Sequence, residues 1–326
     1  MRTMMVLFLV SLTGFIATRR GWIDHAGVSG LTRLLVDVVV PAKMLTAMLA
    51  GLNSQTLSQC GAIIGLFAVW KAAFLLFAMG ATRLWPGGKP AENRAIWCLS
   101  AFQNGIYVPL PLILALVPPE REAEATVYVG GAVIVMILYQ WTLGVWLIRG
   151  REENSAKAST REALKGALNP PLVSIIIGAA LAFIPPFAEA ARTGQGHFLI
   201  TVPIEAAQLA GSALGPLAML VLGMMIGECH LGKALKARTL TIVIGLRLLL
   251  SPIVMLALLL SGFFPWATPL LALVIIVEAA SPPATNLSVI ARRYGGDWQL
   301  ISSALFITYL LALFTLPAFT AIILMR

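Results

Sequence analysis

The chain has 326 residues, of which 59% are hydrophobic and 11% charged, and its mean hydropathy is +0.89. A soluble protein carries roughly 25% charged residues, so a water-facing globule is excluded. Three cysteines are too few for a disulfide framework, and the formal net charge of +9 has to be read from its placement. A helical crossing of the hydrocarbon core takes about 20 apolar residues. Only helices and closed barrels satisfy their backbone there, and the apolar runs are too continuous for barrel strands. The expected fold is therefore an all-α polytopic membrane protein.

Ten spans are expected, at about 4–18, 30–50, 60–82, 95–117, 126–148, 170–187, 203–226, 239–261, 268–291 and 300–324. The first is short, but no small-residue cleavage site follows it; Thr18-Arg19-Arg20-Gly21-Trp22 comes next, so it reads as a retained helix. Span 2 carries Arg33, Asp37, Pro41 and Lys43, and span 3 has Lys71 near its middle. Arg33 and Asp37 are four apart and can pair on one helix face.

Span 4 reads Ala101-Phe102-Gln103-Asn104-Gly105-Ile106-Tyr107-Val108-Pro109-Leu110-Pro111. Each proline removes an amide donor and frees the carbonyl four residues earlier, here those of Gly105 and Tyr107. After span 5 comes a short basic connection, 149–168. Span 7 contains Pro216 and ends near Glu228, with Glu205 near its start; both acids read as interfacial. Cys229-His230 follows, and two adjacent side chains diverge on a helix, so no metal site is expected there. His25 and His197 read as solvated loop residues.

Span 8 has Arg247 near its middle. Span 9 reads Glu278-Ala279-Ala280-Ser281-Pro282-Pro283-Ala284-Thr285-Asn286. Its prolines free the carbonyls of Glu278 and Ala279. Ser281 before Pro282 has the form of an N-cap with proline at the first helical position. A half-helix beginning there would present its positive end inside the membrane.

Three pairings recur at nearly one offset: Pro41 with Pro216, Lys71 with Arg247, and Pro109 and Pro111 with Pro282 and Pro283, at offsets of 175, 176 and about 172. Five spans per repeat is an odd number, so the second copy would enter from the opposite side. The expected organisation is a first five-helix repeat over 1–148, a cytoplasmic connection over 149–168 and a second, inverted repeat over 169–326, with helices 4 and 9 broken where they cross.

Charge placement orients the bundle. With the N-terminus outside, fifteen of the 23 basic residues fall on inward connections and four on the outward side. Those four are Arg2, Arg121, Arg192 and Arg326. This positive-inside bias accounts for the basic balance without nucleic acid and puts both termini outside.

Asn169-Pro170-Pro171 with Gly178, Gly14, Pro41, Gly215-Pro216-Leu217 through Gly223, and the stretch from Glu278 through Pro282, Asn286, Ala291 and Tyr294 to Leu316-Pro317 resemble the auxin efflux carrier family of membrane transporters, in its prokaryotic form. The resemblance covers the whole chain. It implies a ten-helix, two-repeat fold in which helices 1, 2, 6 and 7 form a scaffold and 3–5 with 8–10 a moving core. It also implies export or import of small organic anions. Plant auxin exporters usually carry Pro-Asn where this chain has Gln103-Asn104, and glutamine where it has Pro283. These departures and the short 149–168 connection point to a compact prokaryotic carboxylate carrier rather than an auxin exporter.

The expected function is secondary active transport of a small carboxylate by alternating access in a prokaryotic inner membrane. The alternative is a sodium-coupled carrier resembling the bile-acid–sodium symporters. Substrate contacts are expected from Asn104, Gly105, Pro109, Ser281, Pro282, Pro283, Thr285 and Asn286. Charge or coupling roles fall to Lys43, Lys71, Arg247 and Glu278, because a charge at the bilayer midplane costs a few kcal/mol and three cations share Glu278 as their main partner. No cofactor and no metal are expected. Expected partners are the organic anion, a proton or sodium ion for coupling, membrane lipid and a second copy of the chain. An enzyme would need a nucleophile and base on facing helices, and a sensor a soluble output domain; neither pattern is present.

Overall fold

A chain this apolar must satisfy its own backbone, and it does so with helices. The computed structural model describes residues 2–149, 165–228 and 236–325. Among them the regular structure is helical apart from one isolated β-bridge. In chain order the helices are α1 (Arg2–Arg19), α2 (His25–Gly51), α3 (Ser54–Leu84), α4 (Pro90–Ala101), α5 (Pro109–Leu116), α6 (Pro119–Arg149), α7 (Pro170–Leu181), α8 (Pro185–Thr193), α9 (Phe198–Glu228), α10 (Ala237–Leu260), α11 (Pro269–Ala280), α12 (Asn286–Tyr294) and α13 (Trp298–Leu324).

Six of these, α2, α3, α6, α9, α10 and α13, are long and apolar enough to cross a membrane, and α7 with α8 makes a seventh if a 107° bend is counted as one span. All ten expected stretches fall on helix, but four do so in a form the hydropathy does not foretell. The first is a shorter apolar helix, Met5–Arg19. Spans 4 and 9 are each two short helices. Span 6 turns sharply before Pro185-Pro186, where Ile184 is extended (φ −100°, ψ 109°), because consecutive prolines cannot continue the ladder of α7.

Local sequence sets several starts. In Asn169-Pro170-Pro171 the Asn169 side chain accepts from the Leu172 amide at 3.1 Å, with proline in the first turn, where its missing N–H has no intrahelical partner to lose. Asp24 and Asp297 cap α2 and α13 in the same way. Three helices contain a wider π-turn: Leu35–Val39 in α2, Gln140–Gly144 in α6 and Ile244–Leu250 in α10.

The chain forms two compact units, and each draws on both halves of the sequence. Unit 1 is Met1–Ile64, Ile106–Ile134 and Leu168–Glu228; unit 2 is Gly65–Gly105, Val135–Ala167 and Cys229–Arg326. Expected spans 1, 2, 6 and 7 lie in unit 1 and spans 8, 9 and 10 in unit 2, while spans 3, 4 and 5 are divided between them. Unit 1 is built on glycine contacts. A Cβ on Gly14 would lie 2.2 Å from the Leu220 carbonyl oxygen, and one on Gly223 would lie 1.7 Å from that of Ser11, so α1 and α9 meet backbone to backbone. Small residues allow this in lipid, where packing replaces the hydrophobic drive. Gly178 of α7 meets Leu45 and Met48 of α2 in the same manner.

Candidate functional site

The site is built within unit 2, from the end of α11. Pro282 and Pro283 bring no amide donors, so α11 stops at Ala280 and leaves its last carbonyls without helical partners. Arg247, in the π-turn of α10, takes them. Its Nε donates to the Ser281 carbonyl at 3.0 Å, and its Nη2 donates to the carbonyls of Glu278, at 3.4 Å, and Ala279. Ser251 Oγ donates to the Ala279 carbonyl at 2.9 Å and accepts from Trp70 Nε1 at 3.2 Å. A cation at a helix C-terminus also answers the negative end of the helix dipole.

The non-helical segment after α11 pairs with the one after α4. The Asn104 amide donates to the Pro282 carbonyl at 2.8 Å, and the Ala284 amide donates to that of Phe102 at 2.9 Å, an antiparallel bridge of Gln103 with Pro283. These two bonds are related by a local two-fold that carries 102, 103 and 104 onto 282, 283 and 284. Across the bridge Pro283 stands opposite Gln103. Pro109 and Pro111 stand in the first turn of α5, where a proline breaks nothing, so the carbonyls of Gly105 and Tyr107 are not released from a helix by them.

Gln103 joins the charges. Lys71 Nζ donates to Gln103 Oε1, and Gln103 Nε2 donates to Glu278 Oε2 at 3.4 Å. Lys71, Gln103, Arg247 and Glu278 are each 0% exposed. Glu278 Oε1 and Arg247 Nη1 are buried and have no hydrogen-bond partner among the described residues. The expected ion pairs of Glu278 with Lys71 or Arg247 are not formed: an amide stands between the first pair, and main-chain carbonyls hold the second guanidinium.

The other expected residues are placed as follows. Asn104 Nδ2 donates to the Tyr309 hydroxyl at 2.6 Å, and the Gly105 amide donates to Met136 Sδ at 3.1 Å. Ser281 does not cap a new helix. Its Oγ donates to the Val277 carbonyl at 2.7 Å and it ends α11, while α12 begins at Asn286 with Thr285 before it and no side-chain cap. The bridge to Phe102 and Gln103 holds 282–284 extended, which overrides the local Ser-Pro start signal. Thr285 is buried and Asn286 half-buried.

Pro109 and Lys43 belong to unit 1. Lys43 Nζ pairs with Glu122 at 2.7 Å, not with Asp37 or Glu278. Arg33 and Asp37 are both exposed and form no ion pair among the described residues; the π-turn at Leu35–Val39 shifts the four-residue register on which that pairing depended. His25 is not simply solvated, since its Nδ1 lies 2.8 Å from Glu228 Oε1. His197 caps α9 by accepting from the Leu199 amide at 3.3 Å.

Cys229-His230, Lys233 and most of the 149–168 connection lie outside the described residues. Among those described, no group of three or more His, Cys, Asp or Glu side chains is arranged to hold a metal. Sequence reasoning did not select Gln103, Tyr309, Ser251 or Met136 for the site. Gln103 carried a signal, as a polar residue inside an apolar span beside Asn104; the other three carried none.

The sequence is similar to those of known transport proteins. The family model described as "Membrane transport protein" matches residues 1–320. An "Uncharacterized transporter" of the archaeon Methanothermobacter thermautotrophicus is 23% identical over 98% of this chain and 97% of its own length. "Protein PIN-LIKES 2" of Arabidopsis thaliana is 26% identical over 49% of this chain and 35% of its own length. The chain belongs to the membrane transport protein family, and is a multi-pass membrane transporter of the auxin efflux carrier type.

Proposed function

We propose that the protein is a secondary transporter that moves a small carboxylate by alternating access, through ten membrane segments arranged as two inverted repeats. The observation that carries this reading is the charge balance at the crossing. Lys71 and Arg247 are fully buried against one acid, Glu278, so the cluster holds an excess of positive charge where a lone charge is expensive. An organic anion is the counter-ion that two such cations would accept. What supports the inverted repeat is that each half of the sequence contributes one interrupted helix to the bridge, and unit 2 is the body we assign to movement.

A sodium-coupled mechanism like that of the bile-acid–sodium symporters is disfavoured by the same geometry. Sodium would draw on convergent carbonyl oxygens, and those of Glu278, Ala279 and Ser281 already accept from Arg247.

Uptake of radiolabelled small carboxylates by proteoliposomes, with and without proton and sodium gradients, tests the function. Saturable uptake of at least one carboxylate is expected. For that substrate, Asn104→Ala and Asn286→Ala should each weaken binding by about 1–3 kcal/mol, as loss of a partner to a charged group does. Normal affinity in both variants would place the site away from the crossing.

A further inference from the structure

Glu278 is an acid in an unusual position. It is fully buried, its Oε2 accepts one long hydrogen bond from Gln103, and its Oε1 has no partner. An ionised carboxylate left in that state would lack most of the hydrogen bonds a buried charge requires. Two cations stand within electrostatic reach, Lys71 and Arg247, yet each is turned to a neutral acceptor. Arg247 keeps Nη1 unpartnered, and Lys71 is held by the Gln103 amide. Of the helices packed against α11, α10 brings Arg247 to this point. Along Trp298–Leu324, α13 brings no charged side chain, and its Tyr309 hydroxyl is engaged by Asn104.

We propose that Glu278 is the proton site that couples transport to the pH gradient, an inference that rests on the anion-carrier reading above. The Glu278 carboxylate and an entering carboxylate compete for the same two cations. With no anion in the site Glu278 is ionised, and Lys71 and the Arg247 Nη1 turn from their present positions to answer it. When a substrate carboxylate enters, Glu278 takes one proton from water on the open side, forming an O–H bond at the unpartnered Oε1, and the substrate replaces it as counter-ion. One negative charge enters and one is neutralised, so the buried cluster carries the same net charge on both passages. After release, the proton leaves to water on the far side. Anion and proton move together, one proton for each turnover.

The test uses purified protein in liposomes with radiolabelled succinate, malonate and lactate as probes, protein-free liposomes as control, and the membrane voltage held at zero with potassium and valinomycin. Wild type is expected to accumulate the transported probe about tenfold per pH unit of alkaline-inside gradient, the ratio for one coupled proton. Glu278→Gln should keep probe-for-probe exchange and lose this accumulation, while Glu278→Asp keeps both. If Glu278→Gln does not fold, Glu278→Asp carries the test, and the pH at which its gradient-driven accumulation is half-maximal is expected to move from that of the wild type. Wild type that carries a probe with no response to the gradient overturns proton coupling and leaves the anion reading standing. Gradient-driven accumulation that persists in a folded Glu278→Gln, or a Glu278→Asp pH profile identical to that of the wild type, moves the proton site elsewhere. Wild type that carries none of the probes overturns both readings.

Discussion

Glu92 shows how a single carboxylate is held in this protein. It is 4% exposed, stands at the start of α4 ahead of the apolar stretch, and accepts from Lys236, from Arg238 Nη1 at 3.1 Å and from Thr239 Oγ1 at 3.1 Å. Arg238 also donates to the carbonyls of Trp85 and Thr82 and to Asn93, so the group ties the starts of α4 and α10 to the end of α3. Burial alone would raise the Glu92 pKa, but the hydrogen bonds from Lys236, Arg238 and Thr239 outweigh it and hold the carboxyl below its ordinary value of 4.5. A depressed acid contributes stability that is present above the unfolded value and is lost as pH falls through the folded one. Glu92→Gln should therefore lower thermal stability in detergent at neutral pH by an amount on the order of 1–3 kcal/mol. The gap to wild type should close as the pH is taken below about 4.5; a gap that widens in acid would contradict the assignment. Such networks are hard to read from sequence, because their members are 144 to 147 residues apart. The buried charges Lys71, Arg247 and Glu278 were legible, since a charge inside an apolar run has no solvent to explain it. Their partners were not: a neutral amide, Gln103, and main-chain carbonyls leave no charge pattern.

Helices in lipid are held by how closely their backbones approach, and unit 1 makes that approach through glycine. Gly223 and Gly227 of α9 face α1, and a Cβ on Gly223 would lie 1.7 Å from the Ser11 carbonyl oxygen. Gly215 lies on the same helix, and a Cβ added there meets nothing within 4 Å. Gly223→Ala should therefore separate α1 from α9 and destabilise the protein by about 1–3 kcal/mol, as overpacking does. Gly215→Ala should be neutral or stabilising by up to about 1 kcal/mol, since alanine is the better helix former. Thermal unfolding of the two variants beside wild type checks the contrast, and equal losses would refute it. These glycines were visible as part of a family resemblance, but glycine alone does not say which neighbour it admits. The broken helices were legible for a better reason, because paired prolines in an apolar run have few other outcomes. Where the second half of span 9 resumes was not legible. Ser281-Pro282 is a sound local start signal, and it lost to a tertiary one, the pairing of Pro282 and Ala284 with the segment at 102–104.

At the scale of the whole molecule, helix length and charge placement carry different information. Length and hydropathy pick out six crossing helices, or seven with the bent pair. They pass over the segments interrupted at the crossing because neither half of a broken span is long enough alone. Counting α1, the bent pair α7 and α8, and the two broken pairs as crossings gives the ten of our proposal, an even number. An even count puts both termini on one side. The excess of fifteen basic residues over four between alternate connections selects the outside, since lysine and arginine are retained on the cytoplasmic face. On our proposal the connection at 149–168, with five of those fifteen, is cytoplasmic. A C-terminal fusion to a reporter that fluoresces only in the cytoplasm should stay dark, and one inserted within 149–168 should be bright. The reverse pair of signals would invert the molecule in the membrane and leave the repeat intact. A bright C-terminus together with a dark N-terminus would require an odd number of crossings. Two five-segment copies cannot produce that, so this outcome would remove the inverted repeat whatever the local two-fold at the crossing.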